Sequence, residues 1–314
     1  MKTNNNSVGS SRFTSELEKN YLEYTRSIKC MDDATIERLP LYVQRVLKGL
    51  QINSKDDLAG KLTFVNIIQF VSDYSMNYGP GSCNWMKFVL RSFLKYCCIY
   101  ELVDQDFSPG VPPVHRRKLS TIPKYIEPDT TRMLVESITG NSRADLRDKA
   151  IILMLISYGI RSIQLRSLCL NDIDWRKDTI CFPAAKNGKL VRMPILPEVG
   201  NALAAYLLEG RQESLCPEVF LTLYDPPHPF KRSTSISGII SNRLKRAKLE
   251  LPEGVSHGAH CFRHAFAVRF AGNIPFVHIS NLLGHCDPSS TLIYSKVAFS
   301  ELDEAALPWP EEAL

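Results

Sequence analysis

Residues 260–263 read His260-Cys261-Phe262-Arg263, and residues 282–285 read Leu282-Leu283-Gly284-His285, with Tyr294 nine positions further on. Residues three apart on a helix are neighbours, so His260 and Arg263 share one face. Upstream stands Tyr158-Gly159-Ile160-Arg161, followed by Gln164, Leu165 and Leu168. The pattern predicts a helix over 145–158 that Gly159 ends as a C-cap. Strand-like segments 179–185 and 190–195 flank Lys186-Asn187-Gly188-Lys189, and Asn-Gly is the strongest short hairpin signal. Arg161 at a helix start faces the positive end of the helix dipole, a poor place for a cation unless an anion such as phosphate lies there.

Taken in chain order, these residues resemble the motif of the tyrosine recombinases. This phage-integrase family includes the Xer, Cre and lambda-integrase branches, and its motif runs Arg, Lys, His-x-x-Arg, His (or Trp), Tyr. Arg161 matches the first arginine, and Lys186 the hairpin lysine, with Pro194 closing the second strand. His260 and Arg263 match the His-x-x-Arg pair, followed by the habitual His264 and an aromatic at Phe266. His285 matches the Leu-Leu-Gly-His element and Tyr294 the nucleophile. Two positions depart from the family habit: Gln164 stands where Glu is usual, and Phe262 where Leu is usual. Lys189 is a rival to Lys186, which fits the spacing to Pro194 better.

The resemblance implies cleavage of one DNA strand by the tyrosine oxygen, leaving a 3′-phosphotyrosyl link and a free 5′-hydroxyl, with strands exchanged through a Holliday junction. One phosphodiester is traded for another, so no cofactor, neither ATP nor metal, is expected. A tyrosine with a pKa of about 10 is a poor nucleophile until its proton is taken and the phosphate's charge is masked. Arg161 and Arg263 would grip the non-bridging oxygens. His260 would act as base or hold the phosphate, Lys186 would protonate the departing 5′-oxygen, and His285 would donate to the phosphate.

The same resemblance implies a mainly α fold with a small β-hairpin or sheet, in two domains. Residues 1–13 read as a frayed terminus and 14–106 as a helical core-binding domain. Residues 107–127 form a basic, proline-rich linker, and 128–314 form the catalytic domain with its tail. In the first domain Thr63 caps a helix carrying Val65, Ile68, Val71 and Tyr74. Ser82 caps the next, whose Trp85, Phe88, Val89, Phe93, Tyr96 and Tyr100 read as a core stripe.

The opposite face of that helix carries Lys87, Arg91 and Lys95, four residues apart; like charges so spaced repel unless an anion lies against them. With Arg116, Arg117 and Lys118 of the linker and Arg243, Lys245 and Arg246 of a later basic helix, they are the candidate DNA contacts. A merely solvated face is the plainer reading of each group. The cluster His257, His260, Cys261, His264, His285 and Cys286 invites a zinc reading, but its spacing matches no ligand pattern. Packing or hydrogen bonding is the expected role of His257 and His264.

The chain has 314 residues, of which 44% are hydrophobic and 23% charged, and a net charge of +5; these values exclude a disordered chain or a disulfide-stapled mini-protein. Its 9 cysteines form no Cys-x-x-Cys pair and read as reduced thiols of a cytoplasmic protein with no membrane segment. The expected partners are a double-stranded recombination site and further copies of the chain. They would form a tetramer on two sites with the apolar tail 298–314 exchanged in trans, and an accessory protein or second recombinase is compatible. Two alternatives stand beside this reading: a non-catalytic DNA-binding protein on the same fold, and a relaxing enzyme of the type IB topoisomerase kind.

Overall fold

The structure is a computed structural model that describes residues 12–113, 123–184, 190–271, 273–284 and 291–295; Lys186, His285, Arg116, Arg117 and Lys118 lie outside the described residues. The chain divides into two compact units, Met1–Arg117 and Lys118–Leu314.

The first unit holds α1 (Arg12–Ser27), α2 (Asp33–Ile36), α3 (Leu39–Gly49), α4 (Lys55–Lys61), α5 (Phe64–Asn77) and α6 (Pro80–Ile99). The side chains of Asp32, Ser54 and Thr63 accept the backbone N–H groups of Thr35, Asp57 and Asn66, so α2, α4 and α5 begin at true N-caps. The face that α5 buries is Ile67, Phe70, Val71 and Tyr74. Val65 and Ile68, which share the helical spacing of Val71 and Tyr74, are instead 75% and 51% exposed. Both stripes share Val71 and Tyr74; the one that wins buries a phenylalanine, whose ring fills the space a side chain on Gly49 would need.

The stripe on α6 is likewise turned. Met86, Leu90, Leu94 and Cys97 join Val89, Phe93 and Tyr96 inside, while Phe88 and Tyr100 are 41% and 50% exposed. This helix starts at Pro80 after Gly79, a proline pre-set for the first turn, so Ser82 does not cap it and instead bonds the Tyr74 hydroxyl at 3.1 Å. The ring of Tyr21 meets those of Phe93 and Tyr96 edge to face in the core of this unit.

The second unit runs α7 (Pro128–Glu136), α8 (Arg143–Tyr158), α9 (Ser162–Arg166), β1 (Ile173–Asp174), β2 (Thr179–Phe182), β3 (Val191–Pro194) and α10 (Pro197–Ala205), then α11 (Ser233–Arg246), α12 (Ala259–Phe270) and α13 (Phe276–Leu282). Helix α8 is the spine. Ala150 to Leu155 are buried on every side, as an all-apolar run requires, with α10 and α12 packed against it. The strands form an antiparallel sheet in the order β1-β2-β3, with Ile180 opposite Met193 and Phe182 opposite Val191. Strands β2 and β3 are shorter than the segments predicted from sequence. The Tyr158 hydroxyl donates to the Pro194 carbonyl at 2.9 Å and accepts the Leu196 N–H at 3.1 Å, which fixes the hairpin to the end of α8. Among the described residues no helix is long and apolar enough to cross a membrane.

Candidate active site

The site is assembled where α8, α9, α12 and α13 end or begin. Helix α8 stops at Gly159, whose φ of 57° is left-handed, a conformation that favours glycine. That turn sends the chain into Arg161, which precedes α9. The Arg161 N–H donates to Gln164 Oε1 at 3.1 Å, and the Gln164 amide donates onward to the Pro183 carbonyl at 3.1 Å. An ionised glutamate could make the first bond but not the second, because it has no proton to give. The departure from the family habit at Gln164 is therefore a bridge between Arg161 and the end of β2. Helix α9 is tied to the start of α11 by Ser162 Oγ and Ser233 Oγ at 2.9 Å, and by Arg166 donating to the Phe230 and Lys231 carbonyls.

Arg263, on α12, is 4% exposed. It donates to the Gly159 carbonyl at 2.9 Å and to the Leu283 carbonyl at 2.8 Å, the C-terminal ends of α8 and α13. Both are the electronegative ends of helices, where a cation is favoured. Gly284, with φ of 61°, turns the chain directly after Leu283 and so leads into His285. The sequence element Leu-Leu-Gly thus has a double use: it receives the arginine and then redirects the backbone.

Burial lowers the pKa of Arg263 to about 9, and the neighbouring Arg161 contributes in the same direction. His260, three residues away, is lowered by the protein crowding its ring first and by Arg263 and Arg161 second, although much of its side chain reaches solvent. Tyr294, on the short turn Leu292–Tyr294, is 2% exposed. Burial raises its pKa, while the positive fields of Arg263 and Arg161 pull it back down. Two arginines, a histidine and a tyrosine that are far apart in sequence therefore share one electrostatic site. Of the six expected residues, the structure brings together Arg161, His260, Arg263 and Tyr294.

The partner of the tyrosine is a residue whose sequence suggested only packing or hydrogen bonding. His264 Nδ1 lies 2.9 Å from the Tyr294 hydroxyl oxygen. Its ring centroid is 5.7 Å from that of Tyr294 and 6.4 Å from that of His260, one helical turn back. The signal was present, since His264 is four residues from His260 and so on the same face of α12.

Two other zinc candidates have different partners: Cys261 Sγ lies 3.1 Å from the Gly258 carbonyl, and His257 Nδ1 3.3 Å from Ser241 Oγ. Among the described residues no group of three His, Cys, Asp or Glu side chains could hold a metal ion.

Two of the candidate DNA contacts have partners within the chain. Arg243 is buried, donating to Asp148 at 2.7 Å and to Asp145 at 2.6 Å. Asp148 also accepts from Arg147, so α11 is bolted to α8 by a buried ionic cluster. Arg91 donates to the Val111 and Pro112 carbonyls at 3.1 and 2.7 Å, clasping the chain beyond α6. Lys95, Lys245 and Arg246 are exposed and Lys87 is half-buried. Lys29, not singled out from the sequence, sits close enough to Lys95 for its pKa to be lowered, by burial first and by that like charge second.

Comparison with known proteins shows the family. Residues 124–301 match the model of the phage integrase family. The provisionally named integrase/recombinase y4rF of Sinorhizobium fredii is 30% identical over 292 residues, covering 92% of this chain and 68% of that protein. A second Sinorhizobium fredii relative, y4rA, is 35% identical over 225 residues, which are 71% of this chain and 54% of that one. Tyrosine recombinase XerD of Mycobacterium leprae is 29% identical, with 68% and 69% covered. Among solved structures, XerH site-specific recombinase bound to palindromic difH substrate superposes with a TM-score of 0.72 at 17% identity, covering 95% of this chain and 85% of that one. A lambda integrase (75–356) dimer bound to a core site gives 0.64 at 13% identity, with 96% and 99% covered. The chain belongs to the phage integrase family. It is a tyrosine recombinase on that family's two-domain, mainly α fold.

Proposed function

We propose that this chain cuts and rejoins DNA at a specific site through a covalent 3′-phosphotyrosyl intermediate, with Tyr294 as the nucleophile. The observation that carries the reading is the pairing of two crowded cations, Arg161 and Arg263, with a buried tyrosine hydroxyl in their field. Cations set this close together are poorly arranged for a folded protein by itself and well arranged to receive an anion. A scissile phosphate would set negative charge against both, and its two non-bridging oxygens suit two guanidinium groups.

In the proposed step the Tyr294 oxygen attacks phosphorus and loses its proton to a base, for which His260 is the family's candidate. A new P–O bond forms and the bond to the 5′-oxygen breaks. The leaving oxygen takes a proton from Lys186, and His285 donates to the phosphate. The 5′-hydroxyl of a partner strand reverses the chemistry on the same link, so strands exchange through a Holliday junction.

The relatives lend the context. One structural neighbour is a lambda integrase tetramer bound to a Holliday junction, and others are complexes with recombination sites. By analogy this chain would act in the cytoplasm as a tetramer on two duplex sites, with the tail 298–314 docking in a neighbouring copy. A chain lacking residues 305–314 should then bind duplex but exchange no strands.

The direct test works without a defined target sequence. Purified protein is incubated with sheared genomic DNA of its source organism and denatured in detergent, and DNA retained with protein is sequenced from its 3′ ends. The expected result is adducts at a small set of sites, absent with Tyr294→Phe. Adducts undiminished by that substitution, or none at all with the parent chain, would overturn the reading. Relaxation of any supercoiled plasmid by the monomer would favour a topoisomerase instead.

A further inference from the structure

We propose that His264 is a positioning residue for the nucleophile: its Nδ1 accepts the hydrogen of the Tyr294 hydroxyl and holds the phenol on the arginine side of the site. The inference rests on the reading of Tyr294 as nucleophile and deepens it.

Tyr294 stands on a single short turn, Leu292–Tyr294, and one turn of backbone does little to fix a ring. What fixes the body of the ring is apolar packing against Phe266, Ala267, Ile279 and Leu283. Such packing has no direction: it buries the ring but does not decide where the hydroxyl points. A hydrogen bond does. The 2.9 Å contact from the hydroxyl to His264 Nδ1 is the polar contact that orients the phenol.

Charge limits what the His264 ring can do. Among the described residues, the ionisable neighbours of His264 are His260 and Arg263 on α12 and Tyr294 opposite. Burial lowers the His264 pKa to about 4, with His260 and Arg263 adding to the effect. The ring is therefore neutral at neutral pH. A neutral ring has one donor and one acceptor nitrogen; in the proposed tautomer the proton is on Nε2, so that Nδ1 accepts and the tyrosine donates.

The rigidity of α12 then matters. Arg263 and His264 are adjacent, and Arg263 is fixed by the Gly159 and Leu283 carbonyls. A helix that carries both the phosphate-gripping guanidinium and the acceptor for the nucleophile sets their separation once, for both. An attacking atom misplaced by about 1 Å can cost on the order of a hundredfold in rate.

The test has two arms. In the DNA-free protein, ring-nitrogen NMR of labelled histidine should show His264 Nδ1 as a hydrogen-bonded acceptor, with a signal that moves in Tyr294→Phe. With DNA, His264→Leu should slow detergent-stable adduct formation on sheared genomic DNA by about a hundredfold. Duplex retention and the melting temperature should stay close to the parent. His264→Asn, whose amide oxygen takes the place of Nδ1, should recover most of the loss, while His264→Gln, which reaches to the Nε2 position, should not. A Nδ1 that carries its own proton, a signal indifferent to Tyr294→Phe, or a His264→Leu chain that cleaves at the parental rate would each overturn the inference alone. A parent chain that forms no adduct while the nitrogen signal reports the bond would instead sink the recombinase reading, and the positioning role with it.

Discussion

The Arg263 guanidinium donates to the Gly159 carbonyl at 2.9 Å, across 104 residues of sequence, and this bond makes the end of one helix part of the candidate site. Gly159 can present that carbonyl because its backbone is left-handed. It is also hemmed in. A Cβ added there would lie 2.7 Å from Cγ and 2.8 Å from Cβ of Phe266, one turn along α12 from Arg263.

Gly159→Ala therefore meets two penalties, an L side chain at positive φ costing about 1–2 kcal/mol and a clash with packed atoms. The expected outcome is a lower melting temperature and a loss of adduct formation larger than the stability change explains, because the displaced carbonyl releases Arg263. Thermal denaturation and adduct yield on the same preparation check this. An alanine variant with parental yield would show that Arg263 does not depend on this carbonyl.

Gln164→Glu restores the family habit and should nonetheless destabilise this protein. Gln164 is buried and its amide donates to the Pro183 carbonyl, so a carboxylate would face an acceptor with no proton between them. An unsatisfied buried pair of this kind costs about 1–3 kcal/mol. The pH dependence has a definite sign. Such a carboxyl has its folded pKa raised, so the protonated form, which can donate, is stabilising at acid pH. That contribution is lost as pH rises past the ordinary glutamate value of about 4.3 and through the raised folded value. The gap in melting temperature between variant and parent should widen from pH about 4 to pH about 7; a gap that narrows would refute the bridge.

Much of this site was legible because its chemistry needs particular residue types at fixed helical spacings. His260 and Arg263 share a helix face, and Gly159 before Arg161 announces a helix end, so their meeting could be anticipated. What could not be read was which of two overlapping stripes a helix buries. Val65 and Phe70 are both apolar and within two turns of each other, and only tertiary packing against Gly49 decides between them. Nor does sequence say whether a cation faces solvent or a carboxylate. Arg243 and Lys245 read alike, yet one is bonded to Asp145 and Asp148, nearly a hundred residues upstream, and the other is exposed. His264 escaped for a related reason, since its partner Tyr294 lies 30 residues away on a turn that no periodicity marks.

The contrast on α11 is itself a test. Removing one member of a buried ionic cluster strands the other charges and typically costs about 3–5 kcal/mol. Arg243→Met should thus lower the melting temperature by on the order of 10 °C, with any loss of DNA binding secondary to unfolding. Lys245→Ala and Arg246→Ala should leave the melting temperature nearly unchanged, each reducing by about 1 the slope of log affinity against log salt if it meets a phosphate. An Arg243 variant that melts like the parent but binds with a shallower salt slope would return that residue to the DNA interface.

Acid should weaken the fold through His264. Its folded pKa is lowered to about 4 by burial, then by His260 and Arg263, while an unfolded histidine titrates near about 6.5. A depressed folded value means that the unfolded chain takes up protons first. The contribution of the neutral ring is therefore fully present above pH about 6.5 and is lost progressively as pH falls toward about 4. His260 is shifted in the same direction and adds to the slope. Melting temperature should fall over this window in the parent, and His264→Asn, which cannot titrate there, should show a flatter limb in the same buffers. Ring-nitrogen NMR gives the independent check: the His264 signal should stay that of a neutral ring at pH about 6, where an ordinary histidine is mostly protonated. A His264 that protonates near about 6.5 would mean that its ring is hydrated, and a hydrated ring could not orient the Tyr294 hydroxyl by the bond described here.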